Sequence, residues 1–166
     1  MRASVTVLLV AMVLLAGCVE EEAVVEPVAF ADFDLVDGLT NGSVSKEAQL
    51  GEAWVAYFSA SWCGHCHPTL DVLDEVIPNG SLLIFNKDPR EQHSDMVAWN
   101  DDMEEALERD LSRPFIHAPD LSTEMNVSGI PYVVFVDAEG HVTGDRLGLW
   151  TNAEEMRLMW NQTLAA

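Results

Sequence analysis

The segment from Ser59 to Thr69, SASWCGHCHPT, restricts this chain more than any other part of its sequence. Cys63 and Cys66 in it form a C-x-x-C pair, the spacing at which two thiols can pass between dithiol and disulfide. His67 extends the pattern to C-x-x-C-H, by which c-type haem is attached. The motif therefore predicts either a thiol–disulfide site or a small cytochrome, and the surrounding elements must distinguish them.

The residues around the motif predict a strand-to-helix junction. Ala53 to Ala60, AWVAYFSA, is a nearly continuous apolar run, which is typical of a strand buried on both faces of a sheet. After the motif, Leu70, Leu73 and Val76 recur at helical spacing. The cysteines should thus lie where a buried strand ends and a helix begins.

The rest of the chain predicts alternating strands and helices. The Asn41-Gly42 region indicates a turn, and Thr151-x-x-Glu154 has the spacing of a capping box that opens the last helix. The other predicted elements are a strand in 30–38, a strand in 81–88, a helix in 94–111 and a hairpin that begins at Pro131. The order β, β, α, β, α, β, β, α favours an α/β fold with parallel crossovers and an antiparallel closing hairpin. It counts against a small c-type cytochrome, which would be mainly helical.

The N-terminus is typical of an export signal. Arg2 precedes a short apolar run, Val5 to Ala16, which is too short to span a bilayer but suits a signal peptide. The run ends in Leu-Ala-Gly-Cys, which resembles the lipobox of prokaryotic lipoproteins, where cleavage precedes the cysteine and its thiol is lipid-modified. An ordinary signal peptide with an incidental Cys18 is the alternative. We expect a signal peptide at 1–17, a lipid-anchored tether at 18–29 and one domain at 30–166.

Charge and cysteine content limit the partners. The chain has 28 acidic and 8 basic residues and a formal charge of −20, so nucleic acid is not an expected partner. Of its three cysteines, Cys18 is predicted to carry lipid, and Cys63 and Cys66 are left to pair with each other. An exported domain also lies where disulfides persist.

A helix start suits a reactive thiol. Thiolate is the reactive form, and the unpaired N–H groups and dipole of a helix N-terminus favour the anion. We expect Cys63 to be the exposed nucleophile and Cys66, one turn into the helix, to be the resolving thiol. His65 adds a cation beside both sulfurs that would stabilise the dithiol, and with Gly64 it is expected to tune the redox equilibrium.

The stretches FSASWCGHC and SGIPYVVFVD together resemble the thioredoxin superfamily. This resemblance implies a three-layer fold in which a mixed central sheet is flanked by helices. It also implies a cis-proline at Ile130-Pro131 that packs against the cysteines, with the Ile130 backbone binding substrate. Trp62 matches the aromatic residue beside the reactive cysteine. The resemblance implies no dissociable cofactor and no metal; the redox group is the Cys63–Cys66 disulfide.

The segment that leads to Cys63, DFDLVDG…VS…WVAYFSASWC, resembles the TlpA-like and redoxin branch of this superfamily. Members of that branch are exported and often tethered to membranes. The long interval before Pro131 fits that branch, since it leaves room for an extra helix before the cis-proline strand. The resemblance implies an extracytoplasmic oxidoreductase that exchanges disulfides with exported proteins and acts mainly as a reductase. It also implies a membrane electron donor or acceptor. The CGHC sequence is like that of disulfide isomerases, so an oxidase or isomerase is the alternative.

Three positions depart from the family pattern. Tyr57 stands six residues before Cys63, where thioredoxins carry a buried carboxylate that accepts a proton, and a phenol cannot replace that base near neutral pH. Pro68 comes earlier than the family's helical proline and is expected to kink or restart the helix. His67 replaces the usual lysine or arginine and is expected at the surface.

A metallochaperone is the alternative of another class. Cys63 and Cys66 with the nearby His65 and His67 offer soft and borderline ligands for copper or zinc. The sequence shows no second C-x-x-C or cluster of histidine and cysteine that would complete a closed site.

Overall fold

The computed structural model describes residues 26–166. The predicted signal peptide at 1–17, the lipidation site at Cys18 and most of the predicted tether lie outside the described residues. Within residues 26–166, no helix has the length and apolar character needed to cross a membrane.

The described residues form seven strands and five α-helices. The strands are β1 (Asp34–Val36), β2 (Ser43–Ser45), β3 (Trp54–Ser59), β4 (Leu82–Asn86), β5 (Phe115–His117), β6 (Tyr132–Val136) and β7 (Val142–Leu147). The helices are α1 (Lys46–Gln49), α2 (His67–Val76), α3 (Met96–Leu107), α4 (Pro119–Glu124) and α5 (Ala153–Thr163), with a 3-10 turn at His93–Asp95 before α3.

Five strands form one mixed sheet in the order β5-β4-β3-β6-β7, while β1 and β2 make a separate antiparallel hairpin. Strand β4 runs parallel to β3 and to β5, and β6 runs antiparallel to β3 and to β7. The predicted α/β class and the antiparallel closing hairpin are confirmed. The crossover from β4 to β6 does not continue the parallel part, because the chain first adds β5 and then returns in the opposite direction.

The sheet separates two apolar cores, so that the domain has three layers. All six residues of β3 are buried, and their side chains alternate between the two faces. Val55 and Tyr57 face one core, which is completed by α2, α3 and α5. Trp54 and Phe58 face the other, which is covered by α4 and the β1–β2 hairpin. This burial on both faces explains the continuous apolar run in the sequence.

Several predicted boundaries were wrong, and short elements were missed. Strand β2 begins directly after the predicted turn, and β5 and α4 divide the long interval before Pro131. The helix predicted for 94–111 ends earlier, at Glu108, which adopts the left-handed conformation with φ 55°. The N-cap of α5 is Asn152 and not Thr151, because the Asn152 side chain accepts the N–H groups of residues 154 and 155.

Asp37 attaches the N-terminal hairpin to the edge of the sheet. Its buried carboxylate accepts the N–H of Thr40 in its own turn and the N–H of Phe115 in β5. The Gly38 N–H donates to the Phe115 carbonyl at 2.8 Å. A Cβ at Gly38 would lie 2.3 Å from Met96 Cβ, so this approach requires glycine. The hairpin therefore protects strand β5, which would otherwise be an open edge.

Arg113 closes the C-terminal end of α2. Its guanidinium donates to the Asp74 carboxylate at 2.8 Å and to the carbonyls of Ile77 at 2.7 Å and Pro78 at 2.6 Å. The side chain is 3% exposed, whereas Arg109, which binds the same Asp74, is 38% exposed. A cation at a helix C-terminus satisfies carbonyls that have no intrahelical partner. This contact fixes α2 relative to the segment that leads into β5.

We expect Arg113→Met to lower the free energy of unfolding by about 3 kcal/mol or more, because it removes the buried donor of the Ile77 and Pro78 carbonyls and leaves Asp74 with only its exposed partner Arg109. Arg109→Met, which removes an exposed partner of the same Asp74, should cost less than about 1 kcal/mol. Urea unfolding followed by circular dichroism measures both. Equal losses for the two variants would contradict the capping role of Arg113.

Candidate active site

Cys63 and Cys66 form a disulfide in the turn between β3 and α2. The sulfurs are 2.07 Å apart and the Cα atoms 5.3 Å apart. Cys63 is 6% exposed and Cys66 2%. Both residues are thus buried in the disulfide form, Cys63 slightly less than Cys66, and the division of roles between the two cysteines stays a prediction.

Helix α2 begins later than the sequence suggested. Cys66 is its N-cap rather than a residue one turn inside it, and Cys63 lies in the preceding turn. Pro68 explains the difference: it has no N–H to donate to the Gly64 carbonyl, as a helix that started at Cys63 would require. Pro68 occupies the first turn of α2, where a missing N–H has no cost, so it sets the start of the helix and does not kink it.

Tyr57 is fully buried beneath the motif. Its hydroxyl donates to the Cys66 carbonyl oxygen at 2.8 Å. Burial raises the pKa of the phenol well above its ordinary value, so Tyr57 stays protonated and remains a donor at any working pH. A phenol with a raised pKa does not supply the missing base, and the hydrogen bond gives Tyr57 a structural contact with the cysteine turn.

The Ile130–Pro131 peptide is cis, as the resemblance implied. Pro131 is buried directly before β6, and its carbonyl accepts the Gly148 N–H at 2.8 Å. Ile130 is half-buried and borders the same groove as Cys63. The structure therefore brings Ile130 and Pro131 to the cysteine end of the sheet, although whether they bind a substrate stays a prediction.

A groove of about 630 Å³ lies beside Cys63. Its walls come from the cysteine turn (62–65), the loop after β4 (87–90) and the loop before Pro131 (128–130). Trp62 is 60% exposed, although a tryptophan in a soluble domain is usually more covered. An exposed aromatic wall next to a sulfur is suited to contact a polypeptide.

Asp88 organises the wall that faces Cys63. Its buried carboxylate accepts the Trp62 indole N–H at 2.6 Å and the Arg90 Nε–H at 2.9 Å. The Arg90 guanidinium also lies 6.0 Å from the centre of the Trp62 ring, within cation–π range. The hydrogen bond from Arg90 holds the pKa of Asp88 well below its usual range. Trp62 is therefore held in place by a carboxylate that is charged at neutral pH.

Sequence reasoning missed Asp88 and Arg90. A signal was present, because the segment NKDPR directly follows a buried strand that is parallel to β3. The carboxyl ends of neighbouring parallel strands meet at one edge of a sheet, where ligands commonly bind. The polar residues at the end of β4 therefore had to lie beside the cysteines, which follow β3.

The histidines around the pair are not gathered into a metal site. His65 is exposed and His67 is half-buried at the first position of α2. Among residues 26–166, no group of three or more histidine, cysteine, aspartate or glutamate side chains is arranged to hold a metal ion.

Comparison with known proteins supports the fold. No protein-family profile matches the chain, and no curated protein matches its sequence. Among solved structures, it is similar to a candidate protein disulfide isomerase from Bacteroides thetaiotaomicron (20% identity, TM-score 0.68, 84% of this chain and 90% of that one). It is also similar to an exposed lipoprotein thioredoxin from Streptococcus pneumoniae (20%, 0.63, 80% and 99%). A thioredoxin-family thiol:disulfide interchange protein from Chlorobium tepidum is a third such structure (20%, 0.63, 84% and 98%). The chain has the thioredoxin fold.

We expect Asp88→Asn to lower the free energy of unfolding by about 1 kcal/mol at neutral pH, because Trp62 loses a charged acceptor at a partly exposed site. The depressed pKa stabilises the fold above the pKa of an unfolded aspartate, about 3.9, and this stabilisation is lost as the pH falls further. The difference between wild type and variant should therefore persist from about pH 7 to 5 and shrink below about 4. Urea unfolding at several pH values measures it.

Asp101→Asn is the matched control, since it removes the same charge from an exposed position on α3. It should leave the free energy of unfolding unchanged or slightly raised in this acidic chain. An Asp88→Asn protein as stable as this control would show that the Trp62–Asp88–Arg90 contacts contribute nothing.

Proposed function

We propose that this chain is an extracytoplasmic thiol–disulfide oxidoreductase that reduces disulfides of exported proteins through a Cys63–Cys66 cycle. The observation that carries the proposal is the disulfide itself, which lies between β3 and α2 of a thioredoxin fold and borders an open groove. A structural disulfide would stabilise best by closing a long loop, whereas this one joins residues only three positions apart.

The proposed cycle needs only the two cysteines. The Cys63 thiolate attacks one sulfur of the partner disulfide, and the partner's other sulfur leaves as a thiolate that takes up a proton. Cys66, deprotonated in its turn, then attacks the Cys63 sulfur and releases the second partner thiol. The partner gains two electrons and two protons, and the Cys63–Cys66 disulfide re-forms. An electron donor in the membrane, of dithiol chemistry, would return the pair to the reduced state.

The groove supplies a place for the partner chain. Trp62 and the loop 128–130 lie on either side of Cys63, so an extended segment that carries the target sulfur would pass between them. We propose that the backbone of Ile130, ahead of Pro131, pairs with this segment. Backbone pairing requires no particular partner sequence, which suits an enzyme that acts on exposed cysteines.

The location rests on the N-terminal sequence. We propose that cleavage precedes Cys18 and that lipid on its thiol anchors the domain on the outer side of the cytoplasmic membrane. One of the similar structures is an exposed lipoprotein thioredoxin, which supports this arrangement by analogy. Acyl chains on Cys18, seen by mass spectrometry of the membrane-bound protein, are what this placement requires.

Oxidation or isomerisation is the second candidate direction. It is favoured by His65, which lies exposed between the two cysteines and would stabilise a thiolate when protonated. One similar structure is that of a candidate disulfide isomerase. The same fold and the same two cysteines serve both directions, so the reduction potential distinguishes them.

We expect Cys63→Ser to abolish exchange with a disulfide-containing protein such as insulin, because the nucleophile is lost. Cys66→Ser should retain the first step and accumulate a mixed disulfide with the partner, since nothing resolves it. Insulin reduction measures turnover, and non-reducing electrophoresis shows the trapped complex. Full turnover by the Cys63→Ser protein would overturn the proposed function.

We expect the Cys63–Cys66 pair to have a reduction potential near −270 mV, the value typical of thioredoxin. Equilibration with a glutathione or dithiothreitol buffer, followed by thiol counting, measures it. A potential between about −180 and −120 mV would instead assign the protein to disulfide donation or isomerisation.

A further inference from the structure

We propose that Tyr57 is a positioning residue for the Cys63–Cys66 pair: its hydroxyl holds the Cys66 backbone so that the reduced turn keeps the shape of the disulfide form. The inference builds on the proposed function, because it concerns how strongly the same pair reduces a partner. Its consequence is that Tyr57 makes the pair more reducing.

The contact joins the active-site turn to the most rigid part of the domain. Tyr57 lies in the middle of β3, opposite Ile84 of β4 and Val133 of β6. Its side chain is 0% exposed, and its hydroxyl donates to the Cys66 carbonyl at 2.8 Å. The same carbonyl accepts the Leu70 N–H at 2.9 Å, so both of its lone pairs are engaged. Cys66 is thus bound to the sheet as well as to α2.

The other side-chain hydrogen bonds of the segment between β3 and α2, from Ser61 to Glu91 and from Trp62 to Asp88, hold its beginning to the loop after β4 and do not reach Cys66. Two backbone hydrogen bonds define the turn, from the Cys63 N–H to Ala60 at 3.1 Å and from the Cys66 N–H to Cys63 at 2.9 Å. Pro68 removes a further donor from this end of α2, and Gly64 adds a residue with unusual backbone freedom. Once the disulfide is reduced, the Tyr57 hydroxyl is a side-chain contact that still holds the turn to β3.

The direction of the effect follows from the entropy of the two states. In the oxidised protein the disulfide itself restricts the turn, so losing the Tyr57 bond frees little motion. In the reduced protein the same loss releases the turn, and the dithiol gains conformational entropy. Removal of the hydroxyl therefore favours the dithiol and raises the reduction potential.

Proton transfer does not explain the contact. The hydroxyl points to a carbonyl oxygen, which takes up no proton near neutral pH, and burial keeps the phenol protonated. The role assigned to Tyr57 is therefore geometric, and its effect on the potential should not depend on pH between about 6 and 8.

The test is the reduction potential of Tyr57→Phe, which keeps the ring and removes the donor. Release of part of one residue's backbone freedom in the dithiol alone predicts a change of about three- to tenfold in the dithiol–disulfide equilibrium constant towards the dithiol. That change corresponds to a rise of about 15 to 30 mV. Tyr132→Phe is the matched control, since it removes the same hydroxyl from the half-buried tyrosine of β6, whose ring packs on the opposite face of the sheet from Tyr57. It should leave the potential unchanged.

A Tyr57→Phe protein whose equilibrium constant stays within about twofold of the wild type would overturn the inference, as would an equal shift in Tyr132→Phe. If Tyr57→Phe does not fold, 3-fluorotyrosine in a Tyr132→Phe background gives a stronger donor at the one remaining tyrosine. The potential should then fall relative to the same background with ordinary tyrosine, and an unchanged or raised value would overturn the inference. Equilibration with dithiothreitol reports on the pair even where insulin is not reduced, so the failure of the proposed function is a separate result.

Discussion

Every group of the candidate site depends on the burial of β3 between β4 and β6. Phe58, near the end of β3, is paired with Phe85 on one side and Tyr132 on the other. The chain beyond Phe85 therefore reaches Asp88 on one flank of the cysteine turn. Because β6 is antiparallel, the chain just before Tyr132 places Pro131 on the opposite flank. The pairing of these three strands thus fixes the relative positions of the segments that line the groove.

Helix α2 follows the cysteine turn, and ion pairs with three arginines hold this helix against the rest of the domain. Acidic side chains on the surface of a helix usually face water. Instead, Asp74 binds Arg113 and Arg109, and Glu75 lies 3.4 Å from Arg157. In a chain with 28 acidic and 8 basic residues, this is a considerable share of the cations. Most of the stabilisation comes from Arg113, since burial strengthens a charge pair and makes its loss costly.

The sequence predicted those features that a long apolar pattern or a distinctive local motif marks. Buried strands and the amphipathic α3 are long enough for their periodicity to be read, and the C-x-x-C pair and Ile130-Pro131 are local motifs with few alternatives. It did not predict β2 and β5, because three residues do not establish a period. Nor did it predict the partners of Trp62 and Tyr57, because Asp88 and the Cys66 carbonyl reach them only through the fold. The predicted start of α2 was wrong for a different reason: Cys66 was expected one turn inside the helix, whereas Pro68 in the first turn makes Cys66 the N-cap.

This late start of α2 changes what stabilises a thiolate at Cys63. The residue lies outside the helix, so the field of the helix N-terminus acts on it less directly than the sequence suggested. The groove supplies a second contribution. Of its lining residues among those described, Asp88 alone is acidic and is paired with Arg90, while Lys87 adds a cation. Glu91, which accepts the Ser61 hydroxyl at 2.6 Å, lies at the margin of this groove, so Lys87 and Arg90 balance Asp88 and Glu91 beside Cys63. In a chain of formal charge −20, a surface without net negative charge disfavours the thiolate less than the rest of the surface would. The charge presented to Cys63 therefore depends on Lys87 and Arg90, which offset these carboxylates, as well as on the helix.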